Sequence, residues 1–404
     1  MSLLTTLTAI DLGTAATLSL VWALLYTPDQ LWPVTALWWL ATWTAWLLTR
    51  ETRPALALDP CARALSTPLL AAGLALGFLW VARLALPPVG FVTLPLLWGA
   101  VMTLARLTFR RRTPPVLIGV YSGARQALPR HEGVHYVSLA TPQDVRLREV
   151  DALVVDPATA AHPEWLELIL HAQTAGMPVW TPAALGEELH GRIALEHLHT
   201  GRLDRADFDD TYAVIKRVFD VAAVGLALPV LLPLLLVVAA LVALDAGRPV
   251  LFWQWRVGRH GRPFRIAKFR TMRQDSERHG AAFATCGDLR VTRLGRWLRK
   301  FRLDELPQFW NVLRGDMSVI GPRPEQQTFV EQFERDIRLY SVRHWVKPGI
   351  TGWAQVTHGY AAGADETLEK LRYDLYYIKN FSFWLDARIV AKTLWTILTG
   401  FGAR

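Results

Sequence analysis

Two adjacent carboxylates, Asp304 and Glu305, lie in a part of the sequence that is otherwise rich in cations. Arg299 comes just before them, and Arg323 follows in the turn 321–324, which two prolines restrict. An ionised aspartate among cations can attack phosphorus as a nucleophile, or it can hold the Mg²⁺ that neutralises a diphosphate. The same residues can also form a surface ion-pair network. The residue types therefore indicate phosphoryl chemistry, with a purely structural role as the alternative.

The local sequence also predicts how these carboxylates are positioned. Pro307 is tolerated only in the first turn of a helix, so we expect a helix over 306–313 that starts at the two acids. The positive end of that helix would favour an ionised Asp304 and any bound phosphate. A second basic turn, 268–272, carries Lys268 and Arg270.

The composition indicates a membrane protein with anionic ligands. Of the 404 residues, 52% are hydrophobic and 18 are Trp, and the formal net charge is +9. We expect no nucleic acid as partner, because no nucleic-acid-binding motif accompanies the charge. Cys61 and Cys286 are too far apart in sequence to suggest a metal or disulfide pattern, so we expect free thiols.

The N-terminal region, 1–112, is predicted to be a transmembrane bundle of four helices. Its four apolar segments, 3–26, 31–48, 67–86 and 89–107, have about the length that crosses a bilayer. Arginines lie in the gap between the second and third segments and again after the fourth. Because positive loops stay in the cytoplasm, we expect everything after this bundle to be cytoplasmic.

The middle region, 113–200, is predicted to be a small Rossmann-like α/β domain. Strands are expected at 116–121, 134–139 and 152–156, with helices at 141–149 and 163–175. Gly119 and Gly123 follow the first strand, but their spacing is not G-x-G-x-x-G and no acid ends the second strand. We therefore expect a degenerate domain without a dinucleotide. Residues 201–210 are predicted to be a linker.

The apolar run 221–244 opens the C-terminal region, 211–404, which is predicted to be a helix-rich catalytic domain. Pro229 and Pro233 favour a break in its middle. Because both of its flanks are basic, we expect a re-entrant helix-break-helix rather than a straight transmembrane helix. Arg217 and Asp220, three residues apart, share one helix face and could pair at the membrane interface.

Six ordered pieces of this C-terminal region resemble one known family. The pieces are 216–220, 268–272, 303–308, 311–324, 347–356 and 373–385. They resemble the bacterial sugar transferases, the monotopic polyprenyl-phosphate phosphoglycosyl transferases. The N-terminal bundle and the α/β domain resemble the large form of this family, which includes undecaprenyl-phosphate galactose and glucose phosphotransferases.

The resemblance implies a two-step reaction. The carboxylate matching Asp304 attacks the β-phosphate of a UDP-sugar and expels UMP, and a polyprenyl phosphate then takes the sugar phosphate from the enzyme. Mg²⁺ is the implied cofactor and binds the same carboxylate, while Glu305 supports Asp304. The cations that match phosphate-binding positions are Lys268, Arg270, Arg299 and Arg323. The implied membrane is the bacterial inner membrane, with the catalytic domain on its cytoplasmic face and a homodimer possible.

The sequence departs from the family pattern at two places. Leu232-Pro233 replaces the common Ser-Pro at the membrane break, and His358-Gly359 replaces Asn-Gly in a loop linked to sugar recognition. An inactive membrane scaffold or sensor is the alternative to an enzyme, but the intact Asp304–Glu305 pair argues against it. A transporter is disfavoured because paired charges inside the membrane segments are lacking. The C-terminal stretch 378–401 is expected to be an interfacial amphipathic helix, with a core-facing helix as the alternative.

Overall fold

The computed structural model divides the chain into two compact units, Met1–Gly191 and Arg192–Arg404. The residues that the structure describes are 3–26, 31–49, 67–68, 71, 88–110, 116–121, 128–131, 133–142, 149–156, 162–195, 210–272, 290–358 and 364–399.

Three long helices begin the first unit: α1 (Leu3–Tyr26), α2 (Leu31–Thr49) and α3 (Pro88–Arg110). They correspond to the first, second and fourth predicted membrane segments. The third predicted segment, 67–86, lies almost wholly outside the described residues, so the four-helix bundle stays a prediction. The Trp98 indole nitrogen of α3 donates to the Asp11 carbonyl of α1 at 2.8 Å, which ties these two helices together.

A four-stranded parallel sheet follows in the first unit. Its strands are β1 (Val116–Tyr121), β2 (Val134–Leu139), β3 (Ala152–Val154) and β4 (Val179–Trp180), in the order β2-β1-β3-β4. The prediction of a small parallel sheet is confirmed. The third strand ends two residues earlier than expected. Most of the predicted helix 141–149 falls on residues outside the described part.

Helices cover both faces of this sheet. Trp165 and Ile169 of α4 (Pro163–Thr174) pack on one face, around Leu153. Leu185 of α5 (Pro182–His190), a helix that the sequence analysis did not predict, packs on the other face. A parallel sheet buried on both faces explains the continuous apolar character of its strands.

The chain joins the second unit earlier than the predicted domain boundary near residue 200. Ile193 is fully buried in the core of the second unit, and its N–H donates to the Arg372 carbonyl at 3.1 Å. Arg192 forms an ion pair with Glu369. Residues 192–195 therefore pack with the second unit rather than with the parallel sheet.

One helix dominates the second unit: α6 runs from Asp210 to Ala246. By length and composition, its stretch Thr211–Ala246 can cross a membrane, and this fits a membrane protein. The predicted interruption is wrong, because the chain stays helical through Pro229 and Pro233. A proline removes one helical hydrogen bond, which permits a bend without ending the helix.

Both halves of α6 pack against the same unit. Val224 belongs to a buried cluster around Ile266, whereas Val238 and Val242 belong to another around Leu298. The stretch 225–237 between them is largely exposed and would be roughly 20 Å long as a straight helix. That length is shorter than the roughly 30 Å hydrocarbon core of a bilayer. The packing therefore favours the re-entrant arrangement, which stays a prediction.

The two polar residues of the re-entrant motif do not pair with each other in the described structure. Arg217 donates instead to the carbonyls of Val312 and Leu313. The Asp220 carboxylate accepts the N–H of Val319 at 3.1 Å. The prediction of an interfacial Arg217–Asp220 pair is wrong, because each side chain instead binds a backbone group of the second unit.

The rest of the second unit is built from short elements. The hairpin β5 (Leu251–Val257) and β6 (Pro263–Phe269) is antiparallel, and β7 (Ser318–Ile320) pairs in parallel with β8 (Gly349–Thr351). The helices, in chain order, are α7 (Arg293–Lys300), α8 (Gln308–Arg314), α9 (Gln327–Asp336), α10 (Trp353–Thr357), α11 (Ala364–Lys379) and α12 (Phe383–Thr399).

Close backbone crossing explains the glycines of the two turns around β7 and β8. A Cβ built on Gly349 would lie 2.0 Å from the Gly321 nitrogen, and one on Gly352 would lie 2.1 Å from the Gly321 carbonyl oxygen. No side chain fits at such distances, so only glycine lets the two turns approach.

The predicted interfacial helix 378–401 is two elements. Helix α11 continues to Lys379, and α12 starts at Phe383. Leu385 and Ile389 of α12 are buried in the main core beside Tyr377. This face of α12 therefore packs in the core, as the alternative prediction stated. Trp384 is 44% exposed on the same helix.

Candidate active site

The two carboxylates lie in a single 3₁₀ turn, Leu303–Glu305, between α7 and α8. Arg302 precedes the turn with a left-handed backbone (φ 54°), which redirects the chain as it leaves α7. Asp304 is 8% exposed and Glu305 is 6% exposed. Pro307 occupies the N-cap of α8, so this helix starts at Gln308 rather than at the predicted residue 306.

Two side chains hold α8, and with it the turn, against the hairpin and against α6. The Asn311 amide donates to the Arg265 carbonyl at 2.7 Å and accepts the Ala267 N–H at 3.0 Å, which joins α8 to β6. Arg217 donates to carbonyls in the last turn of α8. These contacts therefore fix the position of the two carboxylates relative to β6 and to α6.

Glu305 forms the centre of a buried ion cluster. Lys268 donates to its carboxylate at 3.1 Å, and Arg323 donates to both of its oxygens, at 3.3 Å to the second. Burial alone would raise the pKa of Glu305, but Arg323 and Lys268 outweigh it and hold that pKa well below the ordinary value. Glu305 is therefore ionised at neutral pH.

Asp304 has a different environment although it is the next residue. In the described part of the chain, its carboxylate accepts no hydrogen bond. Burial and the neighbouring Glu305 charge raise its pKa to about 6, although Lys268, Arg299 and Arg323 act in the opposite direction. Its place near a helix start predicted that the ionised form of Asp304 would be favoured. The pKa of Asp304 is raised instead, because the loss of hydration on burial outweighs the attraction of the cations.

The structure brings three of the four predicted phosphate-binding cations around the carboxylates. Lys268 and Arg323 contact Glu305, and Arg299 acts electrostatically on Asp304 while its Nε donates to the Thr271 hydroxyl at 2.9 Å. Arg270 has one guanidinium nitrogen that is buried without a hydrogen-bond partner in the described structure. Their roles in binding phosphate stay predictions.

The turn of Arg323 is held by Arg343, which is buried, and by Arg256, which is partly buried; neither was predicted as a site residue. Arg343 donates to the Arg323 carbonyl at 2.9 Å and pairs with Asp374 at 2.9 Å. Arg256 donates to the Pro324 carbonyl at 3.1 Å. Both arginines bind backbone carbonyls of the turn 321–324. They therefore fix the position from which the Arg323 side chain extends.

Glu325 adds a negative charge beside these arginines. It pairs with Lys370 at 2.6 Å and lies 3.6 Å from Arg256. Burial would raise its pKa, but Lys370 and Arg343 outweigh burial and lower the pKa to about 2. Residues far apart in sequence form this network, and no local pattern predicts which of them meet.

The site fits a bound Mg²⁺ with few protein ligands. Among the described residues there is no group of three or more His, Cys, Asp or Glu that could hold a metal ion. Mg²⁺, however, is commonly held by one or two carboxylates together with substrate phosphates and water. The Asp304 carboxylate is suited to this role because none of the described residues hydrogen-bonds to its oxygens, whereas those of Glu305 are occupied by Lys268 and Arg323.

Comparison with known proteins identifies the family. Residues 211–400 match the family model described as bacterial sugar transferase. The UDP-N-acetylgalactosamine-undecaprenyl-phosphate N-acetylgalactosaminephosphotransferase of Aeromonas hydrophila is 50% identical over 296 residues, which cover 73% of this chain and 70% of that protein. The chain belongs to the bacterial sugar transferase family, and the sequence-based resemblance is confirmed. It is a transferase.

Two other relatives match about half of this chain. The UDP-glucose:undecaprenyl-phosphate glucose-1-phosphate transferase of Xanthomonas campestris pv. campestris is 43% identical over 213 residues, covering 52% of this chain and 43% of that protein. The protein of the same name from Caulobacter vibrioides is 44% identical over 188 residues, covering 46% of this chain and 70% of that protein.

Proposed function

We propose that this protein transfers a sugar 1-phosphate from a UDP-sugar to undecaprenyl phosphate and releases UMP. The observation that carries the proposal is the buried pair in which Lys268 and Arg323 neutralise Glu305, while no described residue hydrogen-bonds to the Asp304 carboxylate. The relatives support the substrates, because their names contain undecaprenyl phosphate and UDP-sugars.

In the proposed first step, a carboxylate oxygen of Asp304 forms a bond to the β-phosphorus of the UDP-sugar. The bond from that phosphorus to the bridging oxygen breaks, and UMP leaves with the electron pair. Arg299 and Arg323 are placed to attract the phosphate oxygens, since both act electrostatically on Asp304. When bound, Mg²⁺ would supply charge neutralisation of the diphosphate.

In the proposed second step, an oxygen of undecaprenyl phosphate attacks the same phosphorus and returns Asp304 as a free carboxylate. Lys268 and Arg323 keep Glu305 ionised and fixed throughout, so Glu305 supports Asp304 rather than reacting. We place this reaction on the cytoplasmic face of the bacterial inner membrane, with α6 as the re-entrant helix. The product would begin the assembly of a surface polysaccharide.

We further propose N-acetylgalactosamine as the sugar, with glucose as the second candidate. The Aeromonas relative that carries N-acetylgalactosamine in its name matches 73% of this chain, whereas the glucose relatives match 52% and 46%. Identity is also higher in the first case, 50% against 43% and 44%.

The test measures UMP release by the purified chain with undecaprenyl phosphate, Mg²⁺ and each UDP-sugar in turn. We expect the largest kcat/KM with UDP-N-acetylgalactosamine and no UMP from the Asp304→Asn variant. Asp336→Asn, at an exposed end of α9, is the matched control and should keep full activity. Activity that survives Asp304→Asn would overturn the proposal, and so would wild-type protein that releases no UMP from any UDP-sugar.

A further inference from the structure

Helix α7 is fixed with one side toward the fold. A Cβ built on Gly295 would lie 2.2 Å from the Thr271 carbonyl oxygen. The backbone of α7 therefore lies directly against Thr271, two residues after the end of β6. Leu298 is 3% exposed and belongs to the same buried cluster as Val238 and Val242 of α6. This packing places α7 beside the C-terminal half of the apolar helix and fixes which residues face outward.

The outward side, here called the α7 outer face, consists of Arg293, Arg296, Trp297 and Lys300. Their spacing of three and four residues puts them on one side of the helix. Together with Leu294 they line an open pocket of about 540 Å³. The face therefore presents three cations around an aromatic ring, beside an open space.

The aromatic part of this face is exposed and is organised by a cation. Trp297 is 62% exposed and stacks on Phe301, which is 56% exposed, with ring centroids 5.4 Å apart. The Lys300 ammonium lies 5.8 Å from each ring centroid. Exposed tryptophan combined with Lys and Arg is typical of surfaces at the headgroup level of a membrane, where rings and cations both find partners.

The segment around α7 carries only positive charges. The sequence 290–303 contains basic residues and no Asp or Glu, so anions are its complement. The apolar helix α6 that packs behind α7 has exposed leucines along its middle, including Leu236 at 64%. Helix α7 therefore packs beside a helix whose exposed middle is suited to lipid chains.

We propose that the α7 outer face binds the phosphate headgroups of anionic phospholipids. The segment that leads from α7 into Asp304 is then held at the membrane surface. This role is separate from the proposed reaction, since none of the four residues contacts the Asp304–Glu305 pair in the described structure. Anionic lipid attracts juxtamembrane cations at close range, and salt screens that attraction.

The test uses the full chain with its two cysteines replaced (Cys61→Ser and Cys286→Ser) and a spin label on Trp297→Cys. The protein is placed in nanodiscs of phosphatidylcholine, or of phosphatidylcholine with phosphatidylglycerol, and collisions with a water-soluble nickel chelate are compared. We expect the label to be protected in phosphatidylglycerol discs and exposed in pure phosphatidylcholine. A label on Asp336→Cys should show the same accessibility in both lipids.

The charge dependence is tested in the same discs with Arg293→Gln, Arg296→Gln and Lys300→Gln combined. We expect this triple variant, and also high salt, to remove the protection at position 297. A label that stays exposed in both lipids would overturn the proposal. Protection that is equal in both lipids and unchanged in the triple variant would overturn it too, because apolar contact alone would then suffice. This readout needs no turnover, so its failure is distinguishable from failure of the proposed reaction.

Discussion

Asp304 and Glu305 show how two neighbouring carboxylates acquire different properties. Glu305 is matched by Lys268 and Arg323, which hold it ionised. Asp304 is as deeply buried but has no such partner in the described structure, and the charge of Glu305 opposes its ionisation. Neighbouring groups whose pKa values are driven apart are typical of acid–base and nucleophilic sites. This separation is consistent with Asp304 as the reacting group.

The raised pKa of Asp304 predicts the pH dependence of the first step. The nucleophile must be deprotonated, so kcat/KM for UMP release should rise with pH through about 6 and then level off. The measurement is single-turnover UMP release without acceptor, because the acceptor phosphate itself titrates near pH 6. If UMP release instead rises with pH near the ordinary pKa of an aspartate, the assignment of Asp304 as a nucleophile with a raised pKa is contradicted.

Replacing Arg343 tests the support of Arg323. Arg343→Lys keeps a positive charge beside Asp374, but one ammonium cannot reproduce the two guanidinium nitrogens, of which one donates to Asp374 and the Arg323 carbonyl and the other to the Tyr340 hydroxyl. We expect kcat/KM to fall roughly 10-fold, since misplaced groups lose much of their effect. The protein should keep its melting temperature to within a few degrees.

Arg335→Gln, on the exposed side of α9, is the matched control and should keep normal kinetics. An Arg343→Lys variant with normal kinetics would show that the turn does not need this contact.

Sequence patterns predicted the parts of the site that are local. The pair 304–305, the basic turn 268–272 and the proline-flanked turn 321–324 were all found from residue types and spacing, and Lys268 and Arg323 do meet Glu305. The contacts that join distant positions were not found. Lys216 pairs with Asp386 at 2.5 Å, and Arg343 pairs with Asp374, because the fold brings α6, α11 and α12 together.

At the scale of elements, α6 is where local rules mislead most. Pro229 and Pro233 predicted an interruption, yet the helix runs from Asp210 to Ala246. The two prolines are four residues apart and therefore lie on nearly the same side of the helix. Bends at the two positions would then add in one direction, which is compatible with both halves packing on one unit.

The topology of α6 has a direct test. Val214 and Arg248 are exposed at the two ends of the helix, whereas Lys216 is buried against Asp386 and is unsuitable for labelling. Cysteines at 214 and 248, in a background without the native cysteines, should both escape an impermeant thiol reagent in intact cells. Both should react after permeabilisation. Labelling of only one of them in intact cells would contradict the re-entrant arrangement.

At the scale of the whole molecule, the second unit has a core of its own. That core includes Ile193, Tyr340 and Leu375, and it begins before the predicted linker. The α/β domain of the first unit has a separate core around Ile118 and Leu153. The sequence predicted the parallel sheet well but set the boundary too late, because short apolar pieces such as 193–195 carry no pattern that assigns them to a domain.

Truncation tests this boundary. A fragment 192–404 should release UMP, because it keeps the carboxylates and the whole core of the second unit. A fragment 209–404 should melt at a lower temperature, since it lacks Ile193 and the Arg192–Glu369 pair. Equal melting temperatures would contradict the assignment of residues 192–195, and inactivity of both folded fragments would show that catalysis needs the first unit.

The most direct test of the central claim is mass spectrometry of the enzyme held with UDP-sugar and Mg²⁺ in the absence of acceptor lipid. A covalent route predicts one equivalent of UMP and a sugar-phosphate adduct on the peptide that contains Asp304. Adding undecaprenyl phosphate should remove the adduct, and Asp304→Asn should never form it. If no adduct forms and no UMP appears until the acceptor is present, Asp304 is not the nucleophile, and the lipid phosphate attacks the UDP-sugar directly.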